Sequence, residues 1–306
     1  MSKDLITIQE MTTSDIMGLM RSAAKLKKAP LSKKKVFKDK TLALLFQKPS
    51  NRTRVSFEVA MVHLGGYVLY LSPREIKMGE RESVKDVARV ISRYVDGMVA
   101  RVFSHKDVED LAKYSDVPVI NGLSDLAHPC QALSDVFTVK EKFGRMKGVT
   151  MSYVGDGNNV LNSLMLVCAK TGVDLRIATP KGYAPAKDIL AEAQKTASSN
   201  GSSVEVYDDP KKAVAGSDVV YTDVWVSMGQ EHEKAEKIRD FAGFQVNEEL
   251  MSSAKKDAFV MHCLPAHRGE EISEDVIDGK NSIIYDQAEN RLHVQKAVLL
   301  SLLGRK

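Results

Sequence analysis

Short apolar runs alternate with segments of helical periodicity along nearly the whole chain, and they do so in two successive series. The first series runs Thr41–Phe46, Tyr67–Leu71, Gly97–Val102 and Pro118–Ile120, with helical patterns between them. A long helical pattern from Pro129 to Phe143 follows. A second series then begins, with runs at Met151–Val154, Leu175–Ala178, Val204–Tyr207, Val219–Thr222 and Phe259–His262. Continuous Val/Ile/Leu-rich runs, rather than strictly alternating ones, belong to parallel strands buried on both faces. Alternation of this kind predicts an α/β chain with two open parallel sheets, each covered by helices on both sides. A final strand is expected at Ile283–Asp286 and a closing helix at Glu289–Leu303. A helix is expected at Asp240–Ser252, and the charged stretch Gln230–Arg239 reads as a mobile loop.

Length allows two ordinary domains: 306 residues, 43% hydrophobic and 27% charged, are enough for two real cores. The first domain is expected over residues 1–145 and the second over 146–287. The closing helix, 288–306, is expected to pack back on the first. No run approaches a membrane span and the start has no signal-peptide core, so the cytoplasm is the default location. A net charge of +4 suits anionic small molecules and falls short of a nucleic-acid footprint. Lys25, Lys27, Lys28, Lys33, Lys34, Lys35, Lys38 and Lys40 read as a solvated face and loop. Three widely spaced cysteines make neither a disulfide framework nor a paired zinc motif.

Ligands of open α/β sheets bind beyond the carboxyl ends of the strands, which shortens the list of candidate stretches. Ser50-Asn51-Arg52-Thr53-Arg54 lies where a strand ends and a helix begins. Unpaired N–H groups, the helix dipole, two arginines and two hydroxyls there suit a phosphoryl group; a capped helix with surface arginines is the alternative. Arg101 ends a strand. His128-Pro129-Cys130-Gln131 places an imidazole and an amide at a helix start, with Pro129 at a position that tolerates it.

In the second half, Gly155-Asp156-Gly157-Asn158-Asn159 also joins strand to helix. Val160 stands where a dinucleotide fingerprint needs glycine, so that reading fails. A capped turn and a polar ligand contact both fit. Asp223 leaves a strand and suits an ammonium group or a loop-fixing role. His262 and Cys263 invite a metal reading, but adjacent strand residues face opposite sides. A thiol facing a cleft is the simpler account, and no base for a cysteine nucleophile is evident.

Taken together, these stretches resemble the transcarbamoylases over essentially the whole chain. The family's phosphate loop appears as Ser50 to Arg54, its His-Pro-Cys-Gln as His128 to Gln131, and its strand-end arginine as Arg101. Asp223 to Gly229 and His262 to Pro265 match motifs of the ornithine-using branch. The resemblance implies two α/β domains with the active site in a cleft between them. It implies carbamoyl phosphate held by Ser50, Asn51, Arg52, Thr53, Lys77, Arg101, His128, Pro129, Cys130, Gln131 and Arg291. It implies L-ornithine held by Asn159, Asp223, Ser227, Met228, Cys263 and Leu264. Catalytic roles fall to Arg52, Thr53, Arg101, His128, Asp223 and Cys263. No cofactor or metal is expected, and neither nucleic acid nor membrane as partner. A homotrimer or a multiple of trimers is implied. Two positions depart from the family: Asn51 stands where threonine is usual. Lys77 stands where Gln or His is common, on a loop that in relatives reaches a neighbouring subunit's site.

Overall fold

The computed structural model describes residues 2–29, 35–227, 229 and 231–304; Lys33, Lys34 and Met228 lie outside the described residues. The chain divides into two compact units, one running to Ser134 and resuming at Glu289, the other spanning Asp135–Ala288. Both divisions fall inside helices rather than in a linker.

The first unit contains α1 (Thr13–Lys28), β1 (Thr41–Phe46), α2 (Asn51–Leu64), β2 (Tyr67–Leu71), α3 (Pro73–Ile76), α4 (Val84–Ile91), β3 (Gly97–Arg101), α5 (His105–Tyr114), β4 (Val119–Leu123) and the start of α6 (Pro129–Phe143). Its four strands are all parallel, in the order β2-β1-β3-β4. β1 and β3 are central and buried nearly throughout, while β2 is an edge with alternate residues exposed. Ala43, Leu45, Met98 and Ala100 from those central strands pack with Val87, Val108 and Leu111 of the helices. The register sets Phe46 beside Arg101, so both carboxyl ends open at one edge of the sheet.

The second unit contains β5 (Thr150–Val154), α7 (Asn159–Thr171), β6 (Asp174–Ala178), α8 (Lys187–Asn200), β7 (Val204–Tyr207), α9 (Pro210–Val214), β8 (Val219–Thr222), α10 (Lys234–Asp240), α11 (Glu248–Met251), β9 (Phe259–His262), α12 (Glu274–Ile277) and the start of α13 (Ile284–Leu303). Its five parallel strands run β7-β6-β5-β8-β9. Two parallel sheets with interleaved helices are the architecture the apolar alternation predicts.

Three local expectations change. Ile283–Asp286 is not a strand: Ser282 makes a single bridge to Val260, and α13 starts at Ile284. The expected helix Asp240–Ser252 is broken, because Gly243 takes a left-handed turn and Val246 bridges to Ile272 before α11 begins. Part of the charged loop before it is helical as α10, anchored by a buried ion pair from Lys237 to Asp156 at 2.7 Å. Side-chain charge alone hid that anchor, since lysine in a helix usually faces solvent.

Gly157 shows how tightly the turn after β5 is built. Its N–H donates to Tyr183 O at 3.0 Å. A Cβ there would lie 2.5 Å from Tyr183 O and the Ala184 carbonyl carbon, both backbone. Gly157→Ala is therefore expected to cost about 1–3 kcal/mol through forced displacement. Gly18→Ala in α1, where only the tip of Arg21 comes within 3.9 Å, is expected to add about 0.5–1 kcal/mol. Denaturant midpoints of the two variants, read against the parent, check both signs.

Candidate active site

In the first unit the site grows from the β1–α2 junction. Ser50 is the N-cap of α2, with extended backbone and its Oγ accepting from Thr53 N at 3.3 Å. Serine is favoured there because the first turn's N–H groups lack partners. The cap sets Asn51, Arg52 and Thr53 in that first turn. Thr53 is buried and its hydroxyl is shared between Ser50 Oγ at 3.2 Å and Arg291 Nη2 at 3.2 Å. Arg291, on α13, also donates from Nη1 to Gln131 Oε1 at 2.6 Å. Ser50, Thr53, Gln131 and Arg291 are thus one connected set.

Arg101, the last residue of β3, and His128, just before α6, are both nearly buried. Burial first, and then the charges of Arg291, Arg101, Lys48 and Arg52, push the His128 imidazole well below the usual histidine range. It is therefore neutral at physiological pH, with a proton on one ring nitrogen and a lone pair on the other. Four cations near enough to depress one imidazole make this strand-end electropositive.

Lys48 was not among the sequence-derived candidates. It is 8% exposed and its Nζ lies 4.9 Å from the Phe103 ring centroid. Burial, then the Arg101 charge, brings its ammonium down to about 8, while Asp125 pulls the other way. Its position two residues before the N-cap was the available signal.

Two expected members stand apart. The Cys130 side chain is fully buried and directed at Asn121 O, 3.7 Å away, and burial raises its thiol to about 12. Only its backbone, in the first turn of α6 beside Pro129, remains for a ligand. Lys77 is exposed, in a left-handed conformation after α3.

In the second unit the polar strand-ends also converge. Asn158 is the N-cap of α7: its Oδ1 accepts from Val160 N and Leu161 N at 2.9 and 3.1 Å. Its Nδ2 donates to Asp223 Oδ2 at 2.8 Å. The Cys263 thiol donates to Asp223 Oδ1 at 2.9 Å. Asp223 is thereby held at both oxygens, at one of them by an asparagine that the expected ligand set passed over in favour of its neighbour Asn159. Asn159 itself is the first residue of α7 and is half-buried. Burial, then the Asp223 charge, raises the Cys263 thiol well above its ordinary range. It is a proton donor here rather than a thiolate, which argues against a cysteine nucleophile.

His262 and Cys263 do not face opposite sides as a regular strand would require, because β9 ends at His262. Ligand atoms of Asp223, His262 and Cys263 lie within 4.8 Å of one another. Both ring nitrogens of His262 are engaged, however: Nδ1 accepts from Leu264 N at 2.9 Å and Nε2 faces Glu271 Oε1 at 3.1 Å. The cluster is thus already satisfied as protein. The Leu264 side chain packs on the unit's core, and its backbone has φ of 59°. A bulky residue in that region is strained, and its N–H is held by His262 Nδ1. Ser227 is half-buried, two residues after Trp225, which packs on Phe241 at 5.3 Å.

The neutrality of His128 has a measurable sign. Its folded pKa is depressed, so the unfolded chain binds the extra proton first as pH falls below about 6.5. Folding stability from this group should then decline by up to about 1.4 kcal/mol per pH unit. In NMR titration the His128 ring resonances should stay constant from pH 8 to pH 5.5. A midpoint near 6.5 would refute the assignment.

Comparison with known proteins gives each half of the chain its own family match. Residues 3–141 match the family described as aspartate/ornithine carbamoyltransferase, carbamoyl-P binding domain. Residues 147–302 match its Asp/Orn binding domain. An ornithine carbamoyltransferase of Pyrococcus horikoshii is 55% identical over 99% of this chain and 96% of its own. An anabolic one from Pyrococcus furiosus is 54% identical with the same coverage. A solved structure of ornithine carbamoyltransferase from Pyrococcus furiosus superposes with TM-score 0.96 at 53% identity, covering 99% of this chain and 97% of that one. The anabolic enzyme of Campylobacter jejuni superposes with TM-score 0.94 at 42% identity, covering both chains fully at 100%. With both family domains matched in order along nearly its full length, the chain belongs to the aspartate/ornithine carbamoyltransferase family.

Proposed function

We infer that this chain is an ornithine carbamoyltransferase, which moves the carbamoyl group of carbamoyl phosphate to the δ-amine of L-ornithine and releases L-citrulline and phosphate. The observation that carries the reading is Asp223, a buried carboxylate held at both oxygens by Asn158 and Cys263. An acceptor fixed in that way suits an amine. Whole-chain identity of 55% to a protein of that name supports the same substrate.

In this reading the phosphate lies on the first turn of α2, against Arg52, with Arg101 between phosphate and carbonyl. Thr53, Arg101 and the neutral His128 face the carbonyl oxygen. Gln131, oriented by Arg291, takes the carbamoyl amide. The backbone at Pro129 and Cys130 completes this side. Asn159, Ser227 and Met228 hold the amino acid's α-groups, and Cys263 with the Leu264 carbonyl lines its side-chain amine.

The neutral amine attacks the carbonyl carbon, a tetrahedral intermediate forms, and phosphate leaves. Negative charge develops on the carbonyl oxygen, where each fixed donor is worth about 3 kcal/mol. Holding both substrates in place supplies the proximity term. Asp223, the acceptor of the pair, orients the amine and receives its proton; the Cys263 thiol holds Asp223 in place. Relatives named anabolic support a place in arginine synthesis.

A homotrimer fits the exposed apolar side chains Val55 and Val62 of α2 and Tyr67 and Leu69 of the edge strand β2. Lys77 would then reach a neighbouring subunit's phosphate. Among the described residues no helix is long and apolar enough to cross a membrane. The free thiols of Cys130, Cys168 and Cys263 suit a reducing cytoplasm.

Colorimetric citrulline formation tests the reading directly. Asp223→Asn is expected to lower kcat/KM for ornithine by at least about a hundredfold, on the scale of one lost charged contact. Carbamoyl phosphate affinity should stay within about twofold of the parent. Absence of citrulline from the parent protein, saturated with both substrates, would overturn it.

A further inference from the structure

Arg101 ends β3 and Lys48 lies two residues beyond β1, and like charges at one sheet edge must be held there against their repulsion. Burial, and after it the Arg101 charge, loosens the Lys48 proton. The residue between β1 and Lys48 has no part in the mechanism, yet it is tied to three other segments. Gln47 N–H donates to Arg101 O at 2.8 Å. Its side-chain Oε1 accepts from Phe103 N–H at 2.7 Å. Its Nε2 donates to Asp107 Oδ2, in the first turn of α5, at 2.9 Å and to Met78 O at 3.1 Å. One residue thus joins the ends of β1 and β3, the start of α5 and the turn after α3.

Three of these contacts bear directly on a cation. Arg101 gives its own carbonyl to Gln47 N–H. Phe103, whose N–H Gln47 takes, sets its ring 4.9 Å from Lys48 Nζ. Met78 directly follows Lys77, with its side chain in the first unit's core and its carbonyl on Gln47. Lys77 itself is left-handed at φ 36°, a conformation that a non-glycine residue keeps only where its surroundings fix it. We propose that Gln47 is a positioning residue for the phosphate side of the site, holding Lys48, Arg101 and the Lys77 turn in one arrangement. The proposal rests on the phosphoryl group lying at the β1–α2 junction. An amide is required at this place. Met78 O and Asp107 Oδ2 are acceptors and take its two N–H groups, while Phe103 N–H takes its carbonyl. A carboxylate would meet two acceptors with no proton to give, and an apolar side chain would satisfy none of the three.

The test is made on the full-length protein. Gln47→Met keeps the stem and removes all the side-chain hydrogen bonds. Asp107→Asn can still accept from Gln47 at its carbonyl, whereas Asp107→Leu cannot. In Gln47→Met the KM for carbamoyl phosphate should rise roughly tenfold, and the ornithine KM should stay within about twofold of the parent. Amide hydrogen exchange should quicken several-fold at Phe103, and at Gly79 and Arg81, whose N–H groups bond within the Lys77 turn. The rise in unfolding midpoint that inorganic phosphate causes should shrink. Asp107→Asn should match the parent in each reading. Asp107→Leu should show the Gln47→Met changes in weaker form, although loss of a negative charge alone would favour an anion. The proposal is overturned if Gln47→Met, or Asp107→Leu where Gln47→Met does not fold, leaves the carbamoyl phosphate KM at the parent value. It is equally overturned if the ornithine KM rises as much, or if exchange at Phe103 and in the turn is unchanged. Phosphate separates this outcome from failure of the functional reading. A parent whose midpoint does not respond to phosphate lacks the anion site, and the proposal falls with the reading. A parent and a Gln47→Met variant that respond alike keep the site and overturn the role of Gln47.

Discussion

Like charges crowd around a buried neutral imidazole, and the first unit is built to tolerate that crowding. Lys48, Arg52, Arg101 and Arg291 all bear on His128. Nothing in the local chain would gather them: two flank the start of α2, one ends β3 and one lies on α13. The parallel sheet does the gathering, because its carboxyl ends all open at one edge. Burial keeps His128 neutral and weakens the hold of Lys48 on its proton. Both effects raise the free energy of the folded site. An anion that enters relieves them together, which is how a destabilised site becomes a selective one.

The second unit uses the same scaffold with the opposite sign. Ser50 caps α2 in one unit and Asn158 caps α7 in the other, each directly after a strand. The Ser50 cap takes Thr53 N and, in the proposed reading, leaves the rest of that helix terminus to the phosphate. The Asn158 cap spends its amide on Asp223, so the terminus serves a carboxylate that belongs to the protein. Asn158 and Cys263 donate to that carboxylate, while burial above all raises the neighbouring Asp156 and the Cys263 thiol. In the proposed reading that carboxylate receives the amine of the second substrate. Lys237, paired with Asp156, ties α10 to the same edge.

Much of this was legible in the sequence because strand-ends and helix caps obey local rules. The run Thr41–Phe46 followed by Ser50 and an amphipathic helix specifies a strand, a cap and a helix without tertiary information. Asp223, Cys263, Arg101 and His128 were visible as polar residues at the ends of apolar runs. What escaped depends on partners far away in the chain. Lys48 reads as one lysine among many until burial beside Arg101 is known. Asn158 and Asn159 are indistinguishable until one side chain is seen to cap α7 and reach Asp223. Cys130 and Leu264 entered the expected set through the family motifs, and their side chains serve the cores. The strand expected at Ile283–Asp286 failed because a short apolar run can equally open a buried helix.

Unfolding midpoints of the parent and of Lys48→Met at pH 7, each with and without inorganic phosphate, address the charge crowding most directly. Methionine keeps the apolar stem and removes the charge. If cations are held there against their own repulsion until an anion arrives, the variant without phosphate should melt no lower than the parent. Phosphate should then raise the parent's midpoint more than the variant's, since ligand binding stabilises in proportion to its affinity. A variant that melts several degrees lower without phosphate, or that gains as much from phosphate as the parent does, would contradict the account.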